Sequence, residues 1–222
     1  RANPQGFFET AEINGLNEYL LGLADRGRAP LGPMQRWLEA REDSIAPEVP
    51  AHALERMRRL ASRAPFAFKD PRFCYTLPAW RAVVGDARYL CVFREPASTA
   101  ESIVRECGEA EYLRGVEMSF EQALEVWCAM YRQVLGHSQA GGEWLFLHYD
   151  QLLEQAGLER LEAFVGAGVE RTFPDGPLSR SRSTRAVGAE PAELYAELCR
   201  LAGHPAPAAL RSGTSRRPSG TT

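Results

Sequence analysis

Two short segments place a cation directly before a proline and a helix-like stretch. Lys69-Asp70-Pro71 ends one apolar run, and Arg94-Glu95-Pro96 follows another. Proline favours the first turn of a helix, and the N-terminus of a helix offers free backbone N–H groups and a positive dipole end. The pattern is typical of a site for a phosphate or sulfate group.

Hydroxyl groups follow the second cation on the same predicted helix. Ser102 lies eight residues after Arg94, which is about two helical turns along. A hydroxyl at this spacing would complete an anion site. The alternative is that Arg94 only pairs with Glu95 or Glu101 at the surface.

The elements that would position these residues alternate between strands and helices. Short, almost continuously apolar runs at 66–69, 89–93 and 144–149 predict parallel strands covered on both faces. Helix-like stretches are found at 11–23, 34–40, 51–62, 71–84, 97–107, 120–135, 151–155, 158–165 and 191–201. Ser119 and Gln122 predict a capping box at the start of one of them. The pattern indicates an α/β domain with a parallel sheet, whose strand ends bind ligands.

Composition excludes several classes of function. The net charge of −3 gives no overall attraction to nucleic acid or to an anionic membrane. No apolar run is long enough to span a membrane, and no signal peptide is visible. We expect one domain over residues 1–204, followed by a flexible tail over 205–222 that is rich in Pro, Ser, Gly and Arg.

The cysteines and histidines predict neither disulfides nor a metal site. Five scattered cysteines without a CxxC pair indicate buried, reduced thiols and a cytoplasmic protein. The four histidines lack metal-ligand spacing, so we expect no metal cofactor.

The order of these motifs resembles a known family. The stretch FKDPRFCYTLPAW, followed by YLCVFREPASTAESI, resembles the core of the sulfotransferases, especially bacterial ones, that use 3′-phosphoadenosine-5′-phosphosulfate (PAPS). NPQGFFE (residues 3–9) resembles the segment after the family's first helix. WLFLHYDQLLEQAGLERLEAFVGA resembles its later strand–helix–helix run. The resemblance covers residues 3–185.

The resemblance implies both a fold and an activity. The fold is a three-layer α/β architecture like that of P-loop nucleoside triphosphatases, with helices flanking a mostly parallel sheet. The activity is transfer of a sulfuryl group from PAPS, the co-substrate, to a hydroxyl or amine. The acceptor would be a carbohydrate, a glycolipid or a small molecule, and the oligomeric state stays open.

The resemblance also assigns roles to individual residues. Arg94 and Ser102 would hold the 3′-phosphate of PAPS. Lys69 would contact the sulfuryl group and the bridging oxygen, for which the compact charge of an ammonium is suited. Arg72 is a further candidate for binding the co-substrate, as is Arg180 in the late RSRSTR segment. The alternative for that segment is a solvated basic loop.

Two carboxylates are candidates for the base that accepts the proton of the acceptor. Glu9 is the first, because it follows the aromatic pair at 7–8. Asp70 is the second, since it adjoins Lys69, although the two could form only a local salt bridge. Many members of the family place a histidine where this sequence has Pro71.

One departure from the family concerns the 5′-phosphosulfate loop, R-S-G-T-[ST], which should precede NPQGFFE. No such loop or strand precedes it in this sequence, so we expect an N-terminally truncated domain, whose activity by itself stays open. Residues 211–215 read RSGTS, but they lack the flanking strand and amphipathic helix, which favours chance over circular permutation.

Two other functions stay open. The first is a small-molecule kinase with a similar fold, against which no GxxxxGK[ST] motif and no clear pair of Mg²⁺ carboxylates is found. The second is a non-catalytic, nucleotide-binding remnant of the fold.

Overall fold

The computed structural model describes residues 9–25, 31–32, 34–42, 48–171 and 183–206. The helices within these ranges are α1 (Ala11–Ala24), α2 (Ala51–Ala61), α3 (Phe73–Val84), α4 (Pro96–Glu109), α5 (Phe120–Gln139), α6 (Gln155–Val165) and α7 (Ala189–Ala202). The strands are β1 (Arg88–Phe93) and β2 (Glu143–His148), and 3₁₀ turns lie at Arg36–Leu38, Glu111–Leu113 and Tyr149–Leu153. The described part of the chain is therefore an α/β fold in which helices predominate.

The sheet consists of two parallel strands within the described residues. β1 and β2 pair in register from Arg88 opposite Glu143 to Phe93 opposite His148. The predicted strands at 89–93 and 144–149 are confirmed to within one residue. Because two strands are too few to define layers, the predicted three-layer architecture is not established by them.

The predicted strand at 66–69 is wrong. Residues 66–70 have no regular secondary structure and pair with neither strand. The apolar side chains pack instead on one another and on α3, since the rings of Phe66 and Phe68 stack at 4.4 Å and Phe68 lies 5.6 Å from Trp80. The apolar run therefore reflects packing against helices rather than pairing in a sheet.

Most of the predicted helices are confirmed, and two are shorter than expected. The stretch 34–40 contains only a 3₁₀ turn, and α6 is preceded by a 3₁₀ turn where 151–155 was predicted to be helical. The capping box of α5 is present: the Ser119 hydroxyl accepts from the Gln122 N–H at 3.1 Å, and the Gln122 side chain accepts from the Ser119 N–H at 2.8 Å.

The core consists of separate clusters on different sides of α3, α4 and α5. One cluster joins the sheet to α5 and α7, and its largest members are Phe93, Trp127, Phe146, Tyr195 and Leu198. Another joins α1, α2 and α3 through Ile13, Leu16, Leu20, Met57 and Trp80. A third lies between α4 and α5. The clusters bring the start of α1 and the segment before α3 together.

One face of β1 departs from the predicted two-sided burial. Leu90 and Val92 are 42% and 40% exposed, whereas Cys91 and Phe93 on the other face are buried. The expectation that both faces are covered is therefore wrong for this strand among the described residues.

All five cysteines are free and buried. Burial raises the pKa of each thiol, so the thiols are neutral and act as small apolar side chains. None of the described helices has the length and apolar composition needed to cross a bilayer.

Candidate active site

Lys69 and Glu9 form an ion pair across 60 residues of sequence. The Lys69 ammonium donates to Glu9 Oε1. The lysine side chain is 57% exposed and that of the glutamate is 15% exposed. Asn14, in the first turns of α1, donates from Nδ2 to the other carboxylate oxygen of Glu9 at 2.8 Å. The structure thus places an accessible ammonium beside a carboxylate whose orientation is held from α1.

Asp70 takes a different position from the one expected of a base. Its side chain is fully buried, and Oδ1 accepts from both the backbone N–H and Nη1 of Arg72 at 2.9 Å. Oδ2 accepts from Asn17 at 3.0 Å. Burial raises the pKa of the Asp70 carboxyl, and the neighbouring Arg72 guanidinium opposes that rise. The alternative Lys69–Asp70 salt bridge is not formed, because Asp70 pairs with Arg72.

Arg72 is likewise committed to contacts inside the protein. It is 2% exposed, and it donates to Glu18 Oε1 at 2.5 Å and to the backbone oxygen of Met34 at 3.0 Å in addition to Asp70. Burial lowers the pKa of its guanidinium, but the ion pairs with Asp70 and Glu18 outweigh burial and raise it. These contacts favour a structural role over contact with a co-substrate.

Asn17 is the centre of the buried polar network. It is fully buried, and its Oδ1 accepts from the Thr76 hydroxyl at 2.9 Å and from the Trp80 indole N–H at 2.7 Å. Its Nδ2 donates to Asp70, the neighbour of Lys69. α1 therefore has contacts on both sides of the ion pair: Asn14 binds Glu9, and Asn17 binds the side chain of Asp70, the residue after Lys69.

Further ion pairs anchor the segment at 34–42 to the same helix. Arg36 contacts Glu18 at 3.0 Å and Asp25 at 3.1 Å, and Arg41 contacts Asp25 at 2.6 Å. Arg41 also pairs with Glu39. Because these side chains are buried or nearly so, the network stabilises one arrangement of α1 and its neighbours.

Arg94 lies at the carboxyl end of β1, as expected. Its guanidinium lies over the ring of Tyr149, at 5.4 Å from the centroid, and its Nε is 3.6 Å from Glu95 Oε2. The surface pairing with Glu95 is therefore present, whereas Glu101 accepts from the Ser183 hydroxyl at 2.6 Å. Ser102 is exposed on α4, beyond the end of the same strand.

The late basic segment meets the start of α4. The Ser183 N–H donates to the buried Ser98 hydroxyl at 3.1 Å, and Arg185 lies over the ring of Phe120 at 3.6 Å from its centroid. Arg180 and the RSGTS string at 211–215 lie outside the described residues. The described end of the segment is thus held next to the helix that carries Ser102.

One group of possible metal ligands occurs among the described residues. Ligand atoms of His148, Asp150 and His204 lie within 4.8 Å of one another. The two imidazole rings stack at 4.0 Å with an interplanar angle of 10°, which directs their in-plane lone pairs side by side rather than toward one point. His148 Nδ1 accepts from the Asp150 N–H at 3.1 Å, and Nε2 is 3.1 Å from the Tyr195 hydroxyl. The present contacts do not favour coordination of an ion.

A cavity of about 230 Å³ opens between the segment at 31–40 and α5. Its floor includes Leu38 and Val126, which are 3% and 2% exposed. Met118 lines a wall, and Glu117 and Glu125 contribute carboxylates. The lining therefore comes from residues 31–40, from the segment just before α5 and from α5 itself.

Asn14 and Asn17 are the residues that sequence reasoning missed. Both occur on α1 among the buried apolar residues Ile13, Leu16 and Leu20. Two asparagines at i and i+3 within the apolar stripe of an amphipathic helix are a detectable signal, because buried amides require hydrogen-bond partners.

A comparison with protein families identifies the class of protein. The model of the sulfotransferase family matches residues 17–170, which is more than half of the chain. The chain belongs to the sulfotransferase family, which confirms the resemblance seen in the sequence. No curated protein and no solved structure gives a significant match.

Proposed function

We propose that this protein transfers a sulfuryl group from PAPS to a hydroxyl or amine. Membership of the family supports sulfuryl transfer in general. The observation that carries the proposal is the Lys69–Glu9 pair, which joins an ammonium to a carboxylate in a partly open position. Sulfuryl transfer needs these two groups, one to neutralise charge on the leaving oxygen and one to receive a proton.

Each residue has one task in this mechanism. Glu9 accepts the proton from the hydroxyl or amine as the acceptor oxygen or nitrogen bonds to sulfur. Lys69 neutralises the negative charge that remains on the bridging oxygen when the bond between sulfur and that oxygen breaks. PAPS supplies an activated sulfuryl group with a nucleotide phosphate as its leaving group. Asp70 is the weaker candidate for the base, since its carboxylate is enclosed by Arg72 and Asn17.

Arg94 and Ser102 are the proposed contacts for the 3′-phosphate of PAPS. A guanidinium held over an aromatic ring at the end of a strand is suited to a phosphate, because its planar fork donates two parallel hydrogen bonds. The Arg94 Nε lies 3.6 Å from Glu95 Oε2, which is longer than a hydrogen bond, so a phosphate could replace Glu95 as the partner of the guanidinium. Arg180 remains a proposed contact from the late segment, and Arg72 is a weaker one because its donors are already engaged.

For the acceptor we propose a small molecule, a carbohydrate or a glycolipid head group. The cavity beside α5 is a candidate position for its non-reacting part, since an apolar floor with carboxylates in the lining suits a molecule of mixed polarity.

We propose, in addition, the architecture and setting implied by the resemblance. These are a three-layer P-loop-like domain over residues 1–204, a separate tail over 205–222, and a cytoplasmic location. The parallel pairing of β1 with β2 supports an α/β domain, and the buried free cysteines support the cytoplasmic location.

The two alternatives make different predictions. A small-molecule kinase would consume ATP and Mg²⁺, and a non-catalytic remnant would bind the nucleotide without turning it over. The family match favours sulfuryl transfer over the kinase.

The test is turnover of PAPS by the full-length protein with a panel of amines, sugars and phenols. We expect formation of adenosine 3′,5′-bisphosphate together with a sulfated acceptor. Replacing Lys69→Arg should slow transfer at least about 100-fold while the affinity for adenosine 3′,5′-bisphosphate is unchanged. Glu9→Gln should also stop transfer without loss of binding. A fully active Lys69→Arg enzyme would show that Lys69 has no specific part in sulfuryl transfer.

A further inference from the structure

Asn14 contacts the candidate base through its side-chain amide nitrogen, whereas its side-chain carbonyl oxygen is buried without a hydrogen-bond partner among the described residues. Its Nδ2 donates to Glu9 Oε2 at 2.8 Å, and the residue is only 8% exposed. Its Oδ1 is buried, and no hydrogen bond from the described residues reaches it. A buried carbonyl without a partner destabilises the folded state, and native proteins contain few of them.

Asn14 lies one helical turn before Asn17 and Glu18 on α1, beside the apolar stripe of that helix. Its neighbour Ile13, together with Leu16 and Leu20, contributes to the core cluster between α1, α2 and α3. Leucine has the same number of non-hydrogen side-chain atoms as asparagine, branched at the same Cγ, and it forms helices more readily. The buried carbonyl of Asn14 therefore contributes no hydrogen bond among the described residues, and the one side-chain hydrogen bond seen there is to Glu9.

From this we infer that Asn14 is a positioning residue for Glu9, kept for the reaction at the expense of stability. The inference rests on the proposed function of Glu9 as the base. One Glu9 oxygen is held by Asn14, so the other stays directed toward Lys69 and toward an acceptor. Asn17 and Asp70 hold the lysine side of the pair through separate contacts. Without Asn14, the carboxylate would rotate away from the position in which it receives a proton.

Replacing Asn14→Leu in the full-length protein tests this inference by two readouts with opposite signs. We expect kcat for transfer from PAPS to fall about 10- to 100-fold, with the KM for PAPS unchanged, because a misplaced base slows the chemical step. We expect the thermal unfolding midpoint to equal or exceed that of the wild type. A clearly lower midpoint, or an unchanged kcat, would assign Asn14 to the structure alone and overturn the proposal.

Asn14→Asp provides a second test that does not require turnover. A carboxylate placed against Glu9 disfavours its ionised form. The ¹³C carboxyl titration of Glu9, assigned with Glu9→Gln, should therefore move to higher pH by at least about one unit. An unmoved titration would show that Asn14 does not contact Glu9. If the titration moves in Asn14→Asp but the wild-type protein does not consume PAPS, the contact stands and the proposed function is refuted.

Discussion

Replacing Asn17→Ala should strongly destabilise the fold. The substitution removes the acceptor of the Trp80 indole N–H and the donor to Asp70 Oδ2. Thr76 keeps a second acceptor, the backbone oxygen of Arg72 at 3.1 Å. The change therefore leaves two buried polar groups without partners, and both belong to residues that are at most 6% exposed.

The expected loss follows from those two groups. A buried donor or acceptor left unpaired costs about 1–3 kcal/mol, so the pair costs about 2–6 kcal/mol. Alanine recovers at most about 0.7 kcal/mol through its higher helix propensity. We therefore expect the free energy of unfolding to fall by about 1–5 kcal/mol, which at the upper end is a large part of the stability of a typical domain.

Urea unfolding followed by tryptophan fluorescence and circular dichroism measures this loss by linear extrapolation. Glu12→Ala is the matched control, because it lies on the same helix and its contact with Arg59 at 2.8 Å is exposed. The control should lose less than about 1 kcal/mol. An Asn17→Ala protein within 1 kcal/mol of the wild type would refute the view that this network holds α1 to the segment of Lys69.

Two further predictions concern stability. Burial lowers the pKa of His137 and of His148. Below about pH 6.5 the unfolded chain therefore binds more protons than the folded protein does. The free energy of unfolding should decrease as the pH is lowered through this range. His137→Gln should reduce that slope between pH 7.5 and 5.5, because it removes one of the two groups while its amide can still donate to the Cys74 carbonyl. Gly157→Ala would place a Cβ far inside van der Waals contact with the Gln151 carbonyl oxygen, and we expect a loss of about 1–3 kcal/mol in the same assay. An unchanged unfolding midpoint would contradict this prediction, because it would show that the turn before α6 can shift to accommodate the Cβ without loss of stability.

The capping box of α5 depends only on residues three apart, and the sequence predicted it correctly. The apolar runs at 89–93 and 144–149 were also found as strands to within one residue, because each has the other as its parallel partner. The run at 66–69 has the same apolar character, but a strand also needs a partner along its edge. A short apolar run by itself does not reveal whether that partner is a strand or the side of a helix.

The pairing of charges was beyond local reasoning. The sequence left a Lys69–Asp70 salt bridge as an alternative to a base at Asp70, whereas Lys69 contacts Glu9 and Asp70 contacts Arg72. Burial decides this difference, because a buried carboxylate needs a guanidinium with several donors, and an exposed ammonium contacts what lies at the surface. The stacking of the His148 and His204 rings could not be predicted locally either, because the two residues are far apart in sequence.

The most direct test of the proposed site is calorimetric titration of the full-length protein with adenosine 3′,5′-bisphosphate. The wild type should bind, and Arg94→Ala should lose that binding because the 3′-phosphate loses its guanidinium. Arg88→Ala is the matched control, since Arg88 begins the strand that Arg94 follows and pairs with Glu143 at 2.8 Å. The control should bind as the wild type does. Equal affinity in the wild type and Arg94→Ala, or no binding by the wild type, would contradict the proposed site.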